Sequence, residues 1–452
     1  MLNPDVFEKV ISYCQNATNI THFELYYEHT QLTISKGIFG INRKKRPIVD
    51  ISEKEVGRVR LGVFFFDLTY CSFTWKEKDF SYENCIEQIK TSSAKQKIAL
   101  SGSYSFPIIE EGYFIETFDP RQSLMSEQMR QGILHFNLDV IHGISKSILF
   151  RELEFEDAVT HRQFWTKNKH VSEKGTHYTV RHTLQLPHSE ITQIKSENTS
   201  RYFADLASIP LNAVLVRRIM EAKEVDFNIQ DADYLVLEPR VVSQIVKELL
   251  PCFSSQDVGE KDDSDKGNFL QSKRGSSIAN RYVHISDDPL MMCGLKSRTF
   301  DNAGVPAHSK ILLQDGVVHD FYVPHTTALQ KSIQSSGHLD WDDNIFYGNI
   351  MIKAGRRSLN MIFDENVKAV VGEHIIGKID FNQKTGAIAF QICMMLRENN
   401  DKMHYVGIAR FKGNILDILS NVVEATNQSE RFDFIDASGW ILNKNILSHL
   451  NM

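Results

Sequence analysis

Residues 285–323 read ISDDPLMMCGLKSRTFDNAGVPAHSKILLQDGVVHDFYV and set two short strand-like runs behind two polar turns. Ile285 to Pro289 is a strand end entering a turn. The Asp287 and Asp288 side chains can bond nearby backbone N–H groups, and Pro289 cannot continue a sheet ladder. A second turn follows from Phe300 to Pro306. Lys310 to Leu313 and Val317 to Tyr322 are β-prone runs split by Gln314-Asp315-Gly316, and Asp-Gly at that place is a hairpin signal because glycine takes positive φ freely. The chemistry is that of sheet and loop, not of a nucleotide cradle.

Working outward, Tyr234–Leu237 reads as a short buried strand, and Arg240–Leu250 as a helix that Pro251 helps to end. Residues 254–280 are rich in Ser, Asp, Lys and Gly and predict a mobile loop. Toward the start, Asn3 and Pro4 look like an N-cap and first helical residue. Phe7, Val10, Ile11 and Cys14 then recur on one helical face. Phe23–Ser35 and Val59–Phe66 alternate as strands. Helical patterns follow near Tyr82–Ser92 and over Ser123–Ile144, strand-like alternation over Phe150–Leu186, and a helix over Ile209–Ala222. At 452 residues the chain exceeds the size at which one core keeps growing. The expectation is an α+β protein of two domains. Residues 1–225 form mixed α/β layers, and residues 226–452 form a mainly β domain with flanking helices.

A formal net charge of −6 argues against broad binding to a phosphate backbone, which needs clustered Lys and Arg. The one compact basic run, Arg43-Lys44-Lys45-Arg46, reads as a solvated loop. Six cysteines lie far apart, with no Cys-x-x-Cys pair, and read as free thiols. No apolar run approaches the roughly 20 residues that span a bilayer, and the N-terminus is unlike a secretory signal. No membrane or nucleic-acid partner is expected, and the cytoplasm is the expected location.

Several motifs together resemble the TldD/PmbA family, whose members are known as modulators of DNA gyrase or as TldD/TldE peptidase subunits. They are Asp287-Asp288-Pro289, the Ser297–Pro306 run, the Leu313–Val318 hairpin, Tyr234–Pro239 before a helix, Gly348–Ile352, and Gly413–Asp417. The resemblance implies a two-domain fold. In the TldD branch the helix after the first of these strands carries His-Glu-x-x-x-His, two imidazoles for a metal and a carboxylate beside the metal-bound water. Here that helix reads PRVVSQIVKELLPCF, with Glu248 and no imidazole, and no histidine stands between His188 and His284. The chain is thus similar to the TldE/PmbA branch, which lacks the motif. The resemblance implies a non-catalytic subunit, with no metal and no cofactor of its own, that pairs with a TldD-like metallopeptidase subunit acting on unfolded or precursor peptides. The alternative is a stand-alone peptide-binding or scaffold protein, a homodimer in a peptide maturation pathway. The negative charge lends no support to a link with gyrase.

No catalytic residue is assigned. The candidate peptide- or partner-binding residues are Asp287, Asp288, Arg298, Asp301 and Asn302. Four of them have a competing structural reading: the aspartate pair as a turn cap, and Arg298 with Asp301 as an internal tie. His177 and His182 lie on opposite faces of one strand, as do His319 and Asp320, which favours structural roles over a shared metal. Two departures from the family pattern stand out. The run Ala387–Met395 is a denser apolar strand, which puts the geometry of a peptide channel there in doubt, and the acidic loop around Lys261–Asp265 is longer, which bears on the partner contact.

Overall fold

The computed structural model describes residues 4–39, 47–92, 97–100, 115–187, 193–207, 213–254, 267–359, 367–397 and 402–452. The basic run at 43–46 and the acidic run at 261–265 lie outside these residues. The first sheet takes β1 (Ile20–Ile38), β2 (Ile48–Phe65), β3 (Thr69–Lys76), β4 (Ile98–Ala99), β5 (Leu149–Trp165), β6 (His170–Gln185) and β7 (Gln193–Ser200). They run antiparallel in the order β4-β3-β2-β1-β5-β6-β7.

Period-two alternation gives this sheet one apolar and one polar face. Phe23, Leu25 and Tyr27 of β1 and Val59, Leu61 and Val63 of β2 pack under α1 (Pro4–Asn16) and α2 (Tyr82–Thr91). Leu153 and Phe155 of β5 and Tyr178, Val180 and Leu184 of β6 pack against α3 (Glu127–Ile144). The helix expected from Ser123 begins at Glu127, because Ser126 accepts the Met129 N–H at 3.2 Å and caps it there. After β7 come α4 (Phe203–Ala207) and α5 (Ala213–Glu221). The opposite face of β1, β5 and β6 presents Glu28, Thr30, Glu156, Thr160, Arg162, His177, Thr179 and Arg181. A sheet with one wet face is ordinary for antiparallel strands; this one is lined with charge.

The second sheet is mixed. Its strands are β8 (Lys223–Glu224), β9 (Tyr234–Leu237), β10 (Ile285–Asp287), β11 (Lys310–Gln314), β12 (Val317–Val318), β13 (Ile350–Ile352), β14 (Ala369–Phe381), β15 (Ala387–Arg397), β16 (Met403–Asn414), β17 (Val422–Phe432), β18 (Ile435–Asn443) and β19 (Leu450–Asn451). The order is β12-β11-β10-β13-β18-β9-β14-β15-β16-β19, with β17 on β18 and β8 on β16. With helices beside large antiparallel ladders, the class is α+β, as the sequence predicts. Helices α6 (Pro239–Leu249), α7 (His325–Lys331) and α8 (Ile415–Asn421) accompany this sheet. Val241, Val242, Ile245, Val246 and Leu249 form the buried stripe of α6, each contributing roughly 1.5–3 kcal/mol if fully withdrawn from water. The Gly413–Asp417 run proves to be a helix start: Asn414 accepts the Leu416 N–H, and Asp417 accepts the Asn414 N–H in return.

Two expectations change. Asp315 and Gly316, at φ 49° and 82°, make the expected hairpin turn, but the second strand ends at Val318, and after one further bond, from the His319 N–H to the Leu312 carbonyl, the chain leaves the ladder. The described part of the expected mobile loop, 267–280, is held: Leu270 is fully buried, Ile278 and Ala279 are buried, and the Gly275 N–H donates to the Val318 carbonyl. Three apolar anchors suffice where serine and glycine only space them. The Ala387–Met395 run becomes the middle of β15, between β14 and β16, which explains its apolar density. Cys393 and Met395 of β15, Val371 of β14 and Ile441 of β18 share one core with α3 and β6. The C-terminal half also reaches the polar face of the first sheet through Leu295, Lys296 and Ser297. It therefore grips that sheet on both faces.

Candidate functional site

The motif between Asp287 and Asn349 folds into a buried knot over part of the polar face. Asp287 is fully buried; its Oδ2 accepts the Tyr322 hydroxyl at 2.6 Å and the Gly348 N–H at 3.0 Å, with His338 Nε2 at 3.6 Å. Asp288, half-buried, caps the following turn: its Oδ1 accepts the Leu290 N–H and the Ser309 hydroxyl. Asp301 sits at zero exposure, and its carboxylate takes three backbone donors: Ala303 and Val305 on Oδ1 at 2.9 and 3.0 Å, and Leu339 on Oδ2 at 2.9 Å.

The tie expected between Arg298 and Asp301 is not the one formed. Arg298 donates to Asn302 Oδ1 at 3.2 Å and to the Leu339 carbonyl at 2.9 Å, and its guanidinium lies 3.3 Å from the centroid of the Phe346 ring. Asp301, filled by N–H donors, has no room for it. The Asn302 carbonyl in turn accepts from Arg60 of β2, which also contacts Glu24 of β1. The five candidate residues are thus brought into one turn assembly that fastens the second half of the chain onto the first sheet. Gly304 marks the closest approach: its φ is +73°, and a Cβ there would stand 2.1 Å from the Phe164 ring.

Beside this knot the polar face stays open. A cavity of about 380 Å³ lies between β1, β5, β6 and β7 on one side and residues 295–297, Phe346 and Asp433 on the other. Its walls are mostly paired. Arg162 joins Glu28 at 2.9 Å and Glu173 at 2.7 Å, and Arg181 joins Glu156 at 2.9 Å and Glu197 at 2.8 Å. The bond from His177, then that from Arg181, holds the Glu156 carboxyl down to about 2. Thr30 pairs with Thr160, and Thr179 with Thr199. Apart from His177, none of these residues is singled out by the sequence reading. Their signal was the alternation of Glu, Thr and Arg with apolar residues along β5 and β6. Of the two histidines weighed earlier, His177 faces this cavity, and His182 is buried on the opposite side. His319 gives its carbonyl to Arg274, and Asp320 is held by Arg274 and Lys310.

The metal motif of the TldD branch can be tested against α6. Registering its glutamate on Glu248 puts Lys247 and Cys252 at the imidazole positions. The Lys247 ammonium is exposed and bonds Asp433 at 3.3 Å. Cys252 is fully buried in the apolar core, where burial pushes its thiol up to about 12, so it stays protonated. A lysine cation and a protonated core thiol do not fit a divalent metal. Among the described residues no three His, Cys, Asp or Glu side chains gather as a metal-binding group, and no helix is long and apolar enough to cross a membrane.

Residues 232–446 match the model of the PmbA/TldA metallopeptidase C-terminal domain. Metalloprotease PmbA of Escherichia coli O157:H7 is 24% identical over 169 residues, 36% of this chain and 35% of that protein. A metalloprotease of Methanothermobacter thermautotrophicus is 26% identical over 196 residues, 42% of this chain and 41% of that one. The chain therefore matches less than half the length of these curated relatives. Among solved structures, a Thermotoga maritima protein described as a candidate modulator of a DNA gyrase has a TM-score of 0.79 at 16% identity, over 97% of this chain and 98% of that one. TldE from Thermococcus kodakarensis has 0.77 at 17% identity, with the same coverage. At these identities the structures speak for the fold, over nearly the whole chain. Residues 232–446 of this chain are thus similar to the C-terminal domain of the PmbA/TldD metallopeptidases, and the whole chain shares the fold of the structures above.

Proposed function

We propose that the chain is a metal-free, TldE/PmbA-like subunit that partners a TldD-type metallopeptidase and helps to hold unfolded or precursor peptides in the cytoplasm. The observation that carries this reading is the chemistry of α6. Where the TldD branch needs two neutral imidazoles, this chain has an exposed ammonium tied to Asp433 and a thiol closed inside the core. A polar cavity lined by threonine hydroxyls and paired charges supports a role in holding an extended, hydrogen-bonding ligand. Asp287, Asp288, Arg298, Asp301 and Asn302 act in this scheme by shaping the wall that the peptide or the partner meets.

The test mixes the purified chain with a TldD-type subunit and follows cleavage of an unstructured peptide alongside metal content. Cleavage is expected only in the mixture, with the metal carried by the partner. Metal-dependent cleavage by the isolated chain overturns the reading. A homodimer that binds the peptide and ignores the partner moves the assignment to a stand-alone peptide-binding protein.

A further inference from the structure

The charges around the cavity do not close. Arg162 and Arg181 are each matched by two carboxylates, and Asp433 is taken by Lys247. Lys296 remains: among the described residues no carboxylate oxygen comes within 4.0 Å of its ammonium, which stands 5.9 Å from the centroid of the Phe434 ring, and Asp433 and Asp340 act on it only from longer range. Burial lowers its pKa by more than Asp433 and Asp340 raise it, the mark of a cation short of solvent.

The backbone carrying this lysine is clamped. Arg201, itself only 4% exposed, has no carboxylate within 4.0 Å among the described residues and spends its guanidinium on carbonyls: Gly294 at 3.2 Å, Leu295 at 2.6 Å, Ser297 at 3.0 Å and Thr176 at 3.2 Å. Three of these lie on either side of Lys296. The Lys296 N–H is fixed in turn by Asn349 Oδ1 at 2.9 Å. Burying an arginine without a close carboxylate is costly, and the four carbonyl acceptors offset part of that cost while fixing the backbone on both sides of Lys296. Arg298, the second cation of the segment, likewise has no carboxylate within 4.0 Å among the described residues and adds to the positive potential.

We infer that the cavity beside residues 294–298 binds the carboxylate of a peptide, with the Lys296 ammonium as its counter-ion and Arg201 as the positioning residue. The inference rests on the peptide-holding reading above and deepens it: the preferred ligand ends in, or carries, a free carboxylate. A peptide is favoured over a small anion because the rest of the wall offers threonine hydroxyls and neutralised ion pairs, which suit amide groups, and not a second free cation aimed at a multiply charged ion.

The experiment measures binding to the isolated full-length chain, so it does not depend on a catalytic partner. The probes are an unstructured pentapeptide with a free C-terminus, the same peptide as its C-terminal amide, an amide carrying one internal aspartate, and inorganic phosphate. The free acid is expected to bind about tenfold or more tighter than the plain amide, the range of a charge-assisted bond. Lys296→Met is expected to abolish that difference and Lys296→Arg to retain most of it. Because the removed ammonium has no ion pair, K296M is expected to melt no lower than the parent. The aspartate amide tells a terminal from a side-chain carboxylate, and recovery of affinity by either supports the site. Equal affinity for acid and amide, discrimination that survives in K296M, no binding of any peptide, or phosphate binding tighter than the free acid overturns it. A failed cleavage assay with a TldD-type subunit, beside intact carboxylate discrimination, sinks the partnership and leaves this site standing.

Discussion

Asp301→Ala should be among the most damaging single substitutions in the chain. The carboxylate is fully buried and accepts three backbone N–H groups, from Ala303, Val305 and Leu339. Alanine leaves all three donors buried without acceptors, and each orphan costs on the order of 1–3 kcal/mol. Partial relaxation of the turn trims the sum, so a loss of about 3 kcal/mol or more is expected. Asp301→Asn separates the contributions. Its amide oxygen can keep the Ala303 and Val305 bonds while its NH₂ faces the Leu339 N–H, so one donor is lost and the expected cost is about 1–3 kcal/mol. Urea unfolding read by tryptophan fluorescence provides the measurement, since Trp341 lies two residues beyond Leu339 and packs on Tyr26 of the first sheet. The ordering of parent, asparagine and alanine variants in midpoint is the test. A D301A midpoint within about 1 kcal/mol of the parent would refute the premise that this carboxylate organises the turn.

Further expectations follow from single contacts. Gly304→Ala combines a left-handed backbone with a Cβ inside the Phe164 ring, and should lower stability by roughly 2–4 kcal/mol in thermal or chemical melts, where a change under about 1 would contradict it. Burial, and then Glu373, push the Glu238 carboxyl up to about 7, so the folded state holds a proton that the unfolded chain releases near its ordinary value of 4.5. Stability should fall as pH rises from about 4.5 through about 7, and Glu238→Gln should flatten that slope; equal pH profiles for parent and variant would rule the coupling out. Native alkylation should label Cys293, the one half-buried thiol, ahead of the five buried ones, with all six labelled in denaturant, as intact mass will report. Replacing Lys247 and Cys252 together by histidine should destabilise the core and yield no zinc binding by titration calorimetry, because position 252 points into apolar packing.

Much of the fold was legible because it is written in local periodicity. The helical spacing of Phe7, Val10 and Cys14, the apolar stripe of α6 and the Asp315-Gly316 turn each declare themselves within a dozen residues. The cavity could not be read that way. It joins Glu28, Glu156, Arg181 and Lys296, four stretches far apart in the chain, and each alone looks like an ordinary solvated strand or loop residue. The partner of Arg298 was likewise hidden, since Asn302 and Asp301 are both in reach. The choice fell to the Val305 and Leu339 N–H groups, whose positions depend on the finished turn. Leu270 shows the converse error: average composition hides a single anchor.

The core that Leu184 of β6 shares with Ile441 of β18 has a consequence for synthesis. Ile441 leaves the ribosome 257 residues after Leu184 (441 − 184), which at roughly 5–20 residues per second is about 13 to 51 seconds. Through that interval the nascent first sheet has an oily flank whose final cover is not yet translated. The growing polypeptide is therefore a natural client for a holdase, and one truncated shortly before β18 would be released with that flank bare.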